Sequence, residues 1–509
     1  MEYRTQSDQI ILSEILFEGA SEQPVDIDFT LPDYCPDIGK ILTCKMTPAV
    51  TSRDISGGRV TAAGTVKLEI IYLDGREGKV FACNYDLPFE NALATEELSD
   101  RAKAEITVKV DYVNCRATSQ RRVDIHGAFT LGVKVSAPTQ AQALSDASGG
   151  GVFVKKTACR ASAFVGHTQA PFSISEALEL APGKPPIASV ISSAAAISVT
   201  DAKAIANKLA VKGEALLRLV YRTDSGESLE SMEFSIPFNQ FFDLLGADDS
   251  CLMDVKIDAP LVDLNLRTDN DGEYRRLTAE IKAFADIKSY RPTDITFVTD
   301  AYSTEYDVEL ERKNMRLSRL ERVVSHRGFA DSTVDFGAVA TERIEGVCAR
   351  VHSISGRVQE GKIMVSGKIS CGAIAVDASG DTGYTESLSD FETEFPVDDV
   401  VEGAVSPNAY VRAVSYNLVG ANKLEVRAEL EITAAVYIEL TLPAVSDIRV
   451  GEAAVKNAGC GGVTLYFADP GEELWDIAKE HGSSVESIRE TNELSEDILS
   501  GKHTLLIAN

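Results

Sequence analysis

The chain is poor in tryptophan, histidine and positive charge: among 509 residues there is one Trp, six His, and 50 Lys+Arg against 78 Asp+Glu. With a formal net charge of −28, an anionic duplex or lipid surface meets a repulsive average field, which sets nucleic-acid binding aside. The nine cysteines contain no Cys-x-x-Cys, and Cys35 and Cys44, the nearest pair, have no companion at zinc spacing. Reduced thiols in a cytosolic protein are therefore expected. No run of about 18 apolar residues could span a membrane; the most apolar stretch, Ile187 to Val199, is broken by Ser189, Ser192, Ser193 and Ser198. The start lacks a basic segment and carries Glu14, Glu18 and Glu22, so it does not read as a secretory signal. These absences predict a soluble protein that reaches a surface only by binding something already there.

What is present is ordinary globular composition, 44% hydrophobic and 25% charged, in a length that predicts about three to four domains. An internal repeat organises most of it. Three segments alternate apolar and polar residues about a glycine: Val60 to Tyr72 around Gly64, Leu209 to Tyr221 around Gly213, and Ile363 to Ala375 around Gly367. Period two with one apolar face is the mark of a half-buried strand. Each is followed by an apolar-proline element (Leu87-Pro88-Phe89, Ile236-Pro237-Phe238, Phe395-Pro396-Val397) and then by a second alternating strand starting at Val123, Leu277 and Leu424. Lead-ins rich in proline precede the first two copies, Leu31-Pro32-Asp33-Tyr34-Cys35-Pro36-Asp37-Ile38 and Ala181 to Ile187, whereas the third, Val334 to Ile344, has none. The pattern predicts a mainly β protein with three related antiparallel β-sandwich-like domains, 1–137, 152–310 and 311–446. The small, polar, glycine-ended residues 136–151 and 457–462 read as linkers.

From 462 to 509 the period becomes helical. Val463 to Phe467 reads as a strand, Asp469-Pro470-Gly471 as a turn, and Glu472 to His481 as a helix burying Leu474, Ile477 and Ala478 before Gly482. Ser483 with Glu486 predicts a capping box for a second helix, and Thr504 to Ile507 a final strand. Ten acidic residues stand against Lys479, Arg489 and Lys502 in this module.

Catalytic readings find little support in the residues. Two carboxylates at a useful separation will occur somewhere among 78 acids, so their availability is no argument for glycan hydrolysis. Each of the six histidines has a structural explanation, such as the polar side of a strand for His126 and a helix C-terminus for His481. Cys35 has no neighbouring His, and Gly149 to Gly151 lacks the following Gly-Lys-Ser/Thr of a phosphate loop. No catalytic residue, cofactor or metal ligand is expected.

Pro470-Gly471-Glu472-Glu473-Leu474-Trp475-Asp476-Ile477-Ala478, then Val485, Ile488, Asn492, Leu494, Ile498 and Leu505 to Ile507, resemble a LysM domain. That resemblance implies a βααβ fold and a ligand site at the two loops, here Pro470, Gly471, Glu472, Glu473, Leu474 and Trp475 with Asn492, Leu494, Ser495, Glu496, Asp497 and Ile498. LysM domains bind N-acetylglucosamine polymers, but Glu472-Glu473 replaces the family's Asp-Thr, and the concentrated negative charge opposes acidic peptidoglycan stems while favouring a basic protein surface. The three β units, led by LPDYCPDI and followed by this module, are similar to SPOCS-domain proteins of spore-forming Firmicutes of the SipL type. The resemblance implies a non-enzymatic coat-assembly scaffold in the mother-cell cytoplasm at the forespore surface. Its implied partners are a SpoIVA-type basement-layer ATPase and other coat proteins, with peptidoglycan or cortex glycan as the alternative ligand.

Overall fold

The computed structural model describes residues 4–223, 228–338, 340–453 and 462–508. The first unit consists of β1 (Arg4–Thr30), β2 (Ile38–Ser56), β3 (Arg59–Asp74), β4 (Val80–Ala94), β5 (Lys103–Ser119) and β6 (Arg122–Ser148). The second repeats this order as β7 (Val152–Glu179), β8 (Ile187–Ile205), β9 (Lys208–Thr223), β10 (Leu229–Asp243), β11 (Leu252–Thr268) and β12 (Tyr274–Ser303). The third is β13 (Tyr306–Asp335), β14 (Thr341–Gln359), β15 (Lys362–Asp377), β16 (Thr382–Pro396), β17 (Glu402–Val419) and β18 (Lys423–Ala453). The first unit has sheets β2-β3-β4 and β1-β6-β5, the second has the matching pair, and in the third β14 pairs with β17 to join all six strands. β2 lies against β5, and β8 against β11, where the third unit has that ladder. Each unit is thus an antiparallel sandwich closed along one seam, which leaves less free edge than two open sheets would.

The alternating strands supply the cores because period two turns every second side chain inward. Val60, Val66 and Leu68 of β3 are buried with Ile125, Phe129 and Leu131 of β6 in one cluster, and the second and third units have equivalent clusters. Burying each such side chain contributes about 1.5–3 kcal/mol.

The repeat glycines have a specific physical cause. In each unit the strand before the glycine is bulged, at Val50/Ser52, Val199/Asp201 and Val351/Ser353. The bulge pushes a carbonyl into the space a side chain would need: a Cβ on Gly213 would lie 1.9 Å from the Ser198 oxygen and 2.8 Å from the Phe238 ring. On the other neighbouring strand a phenylalanine stands opposite each glycine, in the pairs Gly64–Phe89, Gly213–Phe238 and Gly367–Phe391. This corrects the sequence alignment of the third copy. Phe395-Pro396-Val397 is not the counterpart of the other proline elements, because Pro396 pairs with Lys362 at the strand end while Phe391 covers the glycine.

The lead-in loops are fastened in the same way in the first two units. Tyr72 donates its hydroxyl to the Pro36 carbonyl, and Tyr221 to that of Pro185, both at 3.1 Å. Arg121 caps the first loop through the carbonyls of Leu31, Pro32 and Cys35 and the Asp37 carboxylate; Arg275 reaches those of Ala181 and Lys184. The third unit has Ala375 at the tyrosine position, and its loop is held by Asn422, whose Nδ2 donates to the Gly337 carbonyl.

Residues 136–148, read from composition as a linker, instead continue β6. The pairs β1/β6, β7/β12 and β13/β18 run on as long ribbons, and their small residues allow the ribbons to pack closely. Ile10, Ala161 and Met315 from the first strand of each unit meet Ala143, Phe297 and Ala444 from the last. Beyond them lie Leu144, Val298 and Val445 with Ala147, Ala301 and Ile448. Equivalent positions of three units meeting one another define a pseudo-threefold arrangement. The second and third units join at the turn between Ser303 and Tyr306, so residues 306–310 already belong to β13. Of the second expected linker, residues 457–461 lie outside the described residues.

Candidate partner-binding module

The final segment forms β19 (Val463–Ala468), α1 (Leu474–His481), α2 (Val485–Thr491) and β20 (His503–Ala508), with β19 and β20 antiparallel. The strand-helix-helix-strand order follows the change of period in the sequence. Leu474, Ile477, Ala478 and Ile488 are buried with Leu505 and Ile507 in one core. Gly482 closes α1 in the left-handed region, at φ 59°, where a Cβ would be strained. The second helix is capped one residue later than the sequence pattern implies. Ser484 accepts the Ser487 N–H at 3.1 Å, while Ser483 is buried and donates its hydroxyl to the Ala508 carbonyl at 2.9 Å. The first helix starts at Leu474, because Glu472 and Glu473 are held in the preceding loop.

The two loops that carry the expected site residues are zipped together. The Gly471 N–H donates to the Leu499 carbonyl at 2.7 Å, that of Leu499 to Glu472 at 3.0 Å, and that of Leu474 to Asp497 at 2.8 Å; Glu473 and Ile498 form a β-bridge. Gly471 has φ 92°, a conformation that requires glycine after Pro470. The Glu472 carboxylate accepts from the Tyr466 hydroxyl at 3.2 Å and from the Asp469 N–H at 3.1 Å. Asn492 clips the C-terminus of α2 to β20, donating to the carbonyls of Ile488 and Leu506 and accepting the Leu506 N–H. Leu474 is buried and Leu494 half-buried, Asp497 pairs with Arg489, and Pro470, Gly471, Ser495, Glu496, Asp497 and Ile498 face outward.

Trp475 is not free. Its indole N–H donates to Asp300 on β12 at 2.9 Å, and its ring meets Tyr302 edge-on, with centroids 4.9 Å apart. Lys479, one turn further along α1, reaches both oxygens of Asp300 at 2.9 and 2.7 Å. Arg312 pairs with the same carboxylate at 2.6 Å. Burial alone would raise the Asp300 pKa, but the hydrogen bonds from Lys479 and Trp475, with the two cationic charges, hold it below the usual carboxylate value. Phe153 stacks on Tyr302, the Tyr302 hydroxyl donates to the Ser483 carbonyl at 2.8 Å, and Lys155 pairs with Glu473. Through α1 and its preceding loop, the module is therefore seated on the ribbon end of the second unit. The aromatic pair Phe153–Tyr302 selects that ribbon: the turn-proximal positions of the other two ribbons carry Ser148 and Arg449 where this one has Tyr302. The resemblance places Trp475 in the ligand site, and the sequence carries no signal for the distant Asp300, Tyr302 and Lys155 that engage the module.

Among the described residues, no helix is long and apolar enough to cross a membrane. A search of curated proteins and one of solved structures gave no match. The family model described as "SipL, SPOCS domain" matches residues 37–118 and 186–268. Both segments run from the end of the proline-rich lead-in through four strands, β2–β5 in the first unit and β8–β11 in the second. They contain the bulge, the glycine, its opposing phenylalanine and the buried tyrosine described above. Over those two segments the chain is similar to the SipL SPOCS domain.

Proposed function

We propose that this protein is a non-enzymatic scaffold of endospore coat assembly, acting in the mother-cell cytoplasm at the forespore surface. The observation that carries this reading is the double match to the SipL SPOCS domain, at the same four strands of two units. In this reading the pseudo-threefold body is a rigid platform for other coat proteins. The C-terminal module, taken as a LysM domain, docks on a coat basement-layer ATPase of the SpoIVA type. Two features support a protein partner over a glycan. The module carries ten acidic residues against three basic ones, which steers a basic protein surface inward and repels acidic wall polymers. Trp475, the one aromatic ring placed to stack on a sugar from the expected site, is engaged by Asp300 and Tyr302.

The test is a calorimetric titration of the full chain with the purified ATPase and, separately, with chitin oligomers. The reading predicts a saturable heat with the ATPase and none with the oligomers. Submillimolar oligosaccharide binding with no response to the ATPase would overturn it.

A further inference from the structure

The strand Val463-Thr464-Leu465-Tyr466-Phe467-Ala468 is apolar on both faces. Its inner face follows from the module's core: Tyr466 and Ala468 pack with Leu505, Ile507 and the two helices. Its outer face has no such explanation. Val463, Leu465 and Phe467 are 61%, 54% and 72% exposed, and Leu506, directly opposite Leu465, is 44% exposed. Register places Val463 opposite Ala508 and Phe467 opposite Thr504, so these side chains form one contiguous apolar strip. A sheet with one face in water should alternate with polar residues, whereas a strand apolar on both sides is the pattern of one covered on both. A clustered apolar patch of this kind marks an interaction site more than scattered exposed residues do.

Among the described residues, the body does not supply the cover. It grips the module from the helical side, through Trp475, Lys479 and the Ser483 carbonyl. The strip therefore points away from the pseudo-threefold platform.

We propose that the outer face of β19–β20 is a protein-docking surface, and that its occupant presents an apolar patch bordered by Lys and Arg. Charge decides between this occupant and a second copy of the chain. A second copy brings another acidic module and a further net charge of −28 against the first, while a basic rim meets complementary potential around an apolar centre. The inference deepens the docking reading above and rests on it. It moves the contact from the Pro470–Glu473 loop, whose Glu473 is already paired with Lys155, to the sheet.

The experiment titrates the full chain with the basement-layer ATPase by calorimetry, comparing wild type with Leu465→Thr, Phe467→Thr and, on the other strand, Leu506→Thr. Threonine keeps a β-branched strand former at each site, and unchanged Trp475 emission and melting temperature identify the variants that remain folded. Loss of a central apolar anchor is expected to weaken binding by about 30-fold or more, with Glu472→Lys and Glu496→Lys weakening it less. Sheet variants that bind as tightly as wild type overturn the inference and leave the docking reading standing. Absence of binding by the wild-type chain overturns both. A wild-type chain that sediments as a dimer, becoming monomeric on Phe467→Thr, assigns the strip to a second copy and also overturns the inference.

Discussion

Replacing Asp300 by alanine should release the C-terminal module from the body. The carboxylate is 16% exposed and accepts the Trp475 indole N–H and two contacts from Lys479. Hydrogen bonds to a charged group contribute about 1.5–3 kcal/mol when shielded, and an indole N–H left unpaired in a buried site costs about 1–3 kcal/mol. Lys479 is 39% exposed, so its share is screened and must be discounted. A loss of about 2–4 kcal/mol follows, a factor of roughly 30 to 1000 in the ratio of seated to released module. Trp475 is the only tryptophan, so its emission reports the module without labelling. The variant should show a red-shifted maximum and stronger acrylamide quenching. Asp146→Ala, at the matching position of the first ribbon and paired there with Lys156 at 2.9 Å, should leave Trp475 unchanged. An Asp300→Ala chain with wild-type emission and quenching would refute the seating argument. Acid gives a second reading of the same contact. Because the seated Asp300 has a lowered pKa, its contribution is complete above the free carboxylate value of about 3.9 and is lost as pH falls through the lower seated value. Trp475 emission should therefore hold constant from neutral pH down to about pH 5 and shift only under stronger acid.

Gly213→Ala should destabilise the second unit by about 3 kcal/mol or more, since the bulge carbonyl of Ser198 lies 1.9 Å from the added Cβ and backbone cannot yield as a side chain would; denaturant melts would show it as a fall in midpoint. Tyr221→Phe should cost about 1 kcal/mol by removing the bond to the Pro185 carbonyl, with faster amide exchange confined to residues 181–187.

Much of the β architecture was legible because its signals are local. The alternation around Gly64, Gly213 and Gly367 identified the central strands, and the switch to helical period at residue 462 identified the small module. The third copy was misaligned for a definite reason: proline was followed, whereas the physical requirement is a phenylalanine opposite the glycine, which Phe391 meets without an adjacent proline. The ribbon extension from 136 to 148 was hidden because close packing of three ribbons selects Ala143 and Ala147, and small residues also compose linkers. Contacts across long separations left no trace in composition. Asp300 sits 175 residues before Trp475, and nothing in either local pattern names the other. The outer apolar strip was visible in the run Val463 to Phe467, but its meaning required the register with Leu506.

The central claim, that this chain is a coat scaffold whose C-terminal module provides the docking contact, is tested most directly by where the protein sits in sporulating cells. Fluorescent fusions of the full chain and of a chain ending at residue 453 should be imaged during engulfment, each in a strain lacking the native copy. The account predicts a ring at the forespore surface for the full chain and diffuse mother-cell signal for the truncated one. A complete ring formed by the truncated chain, or diffuse signal from the full chain, would contradict it.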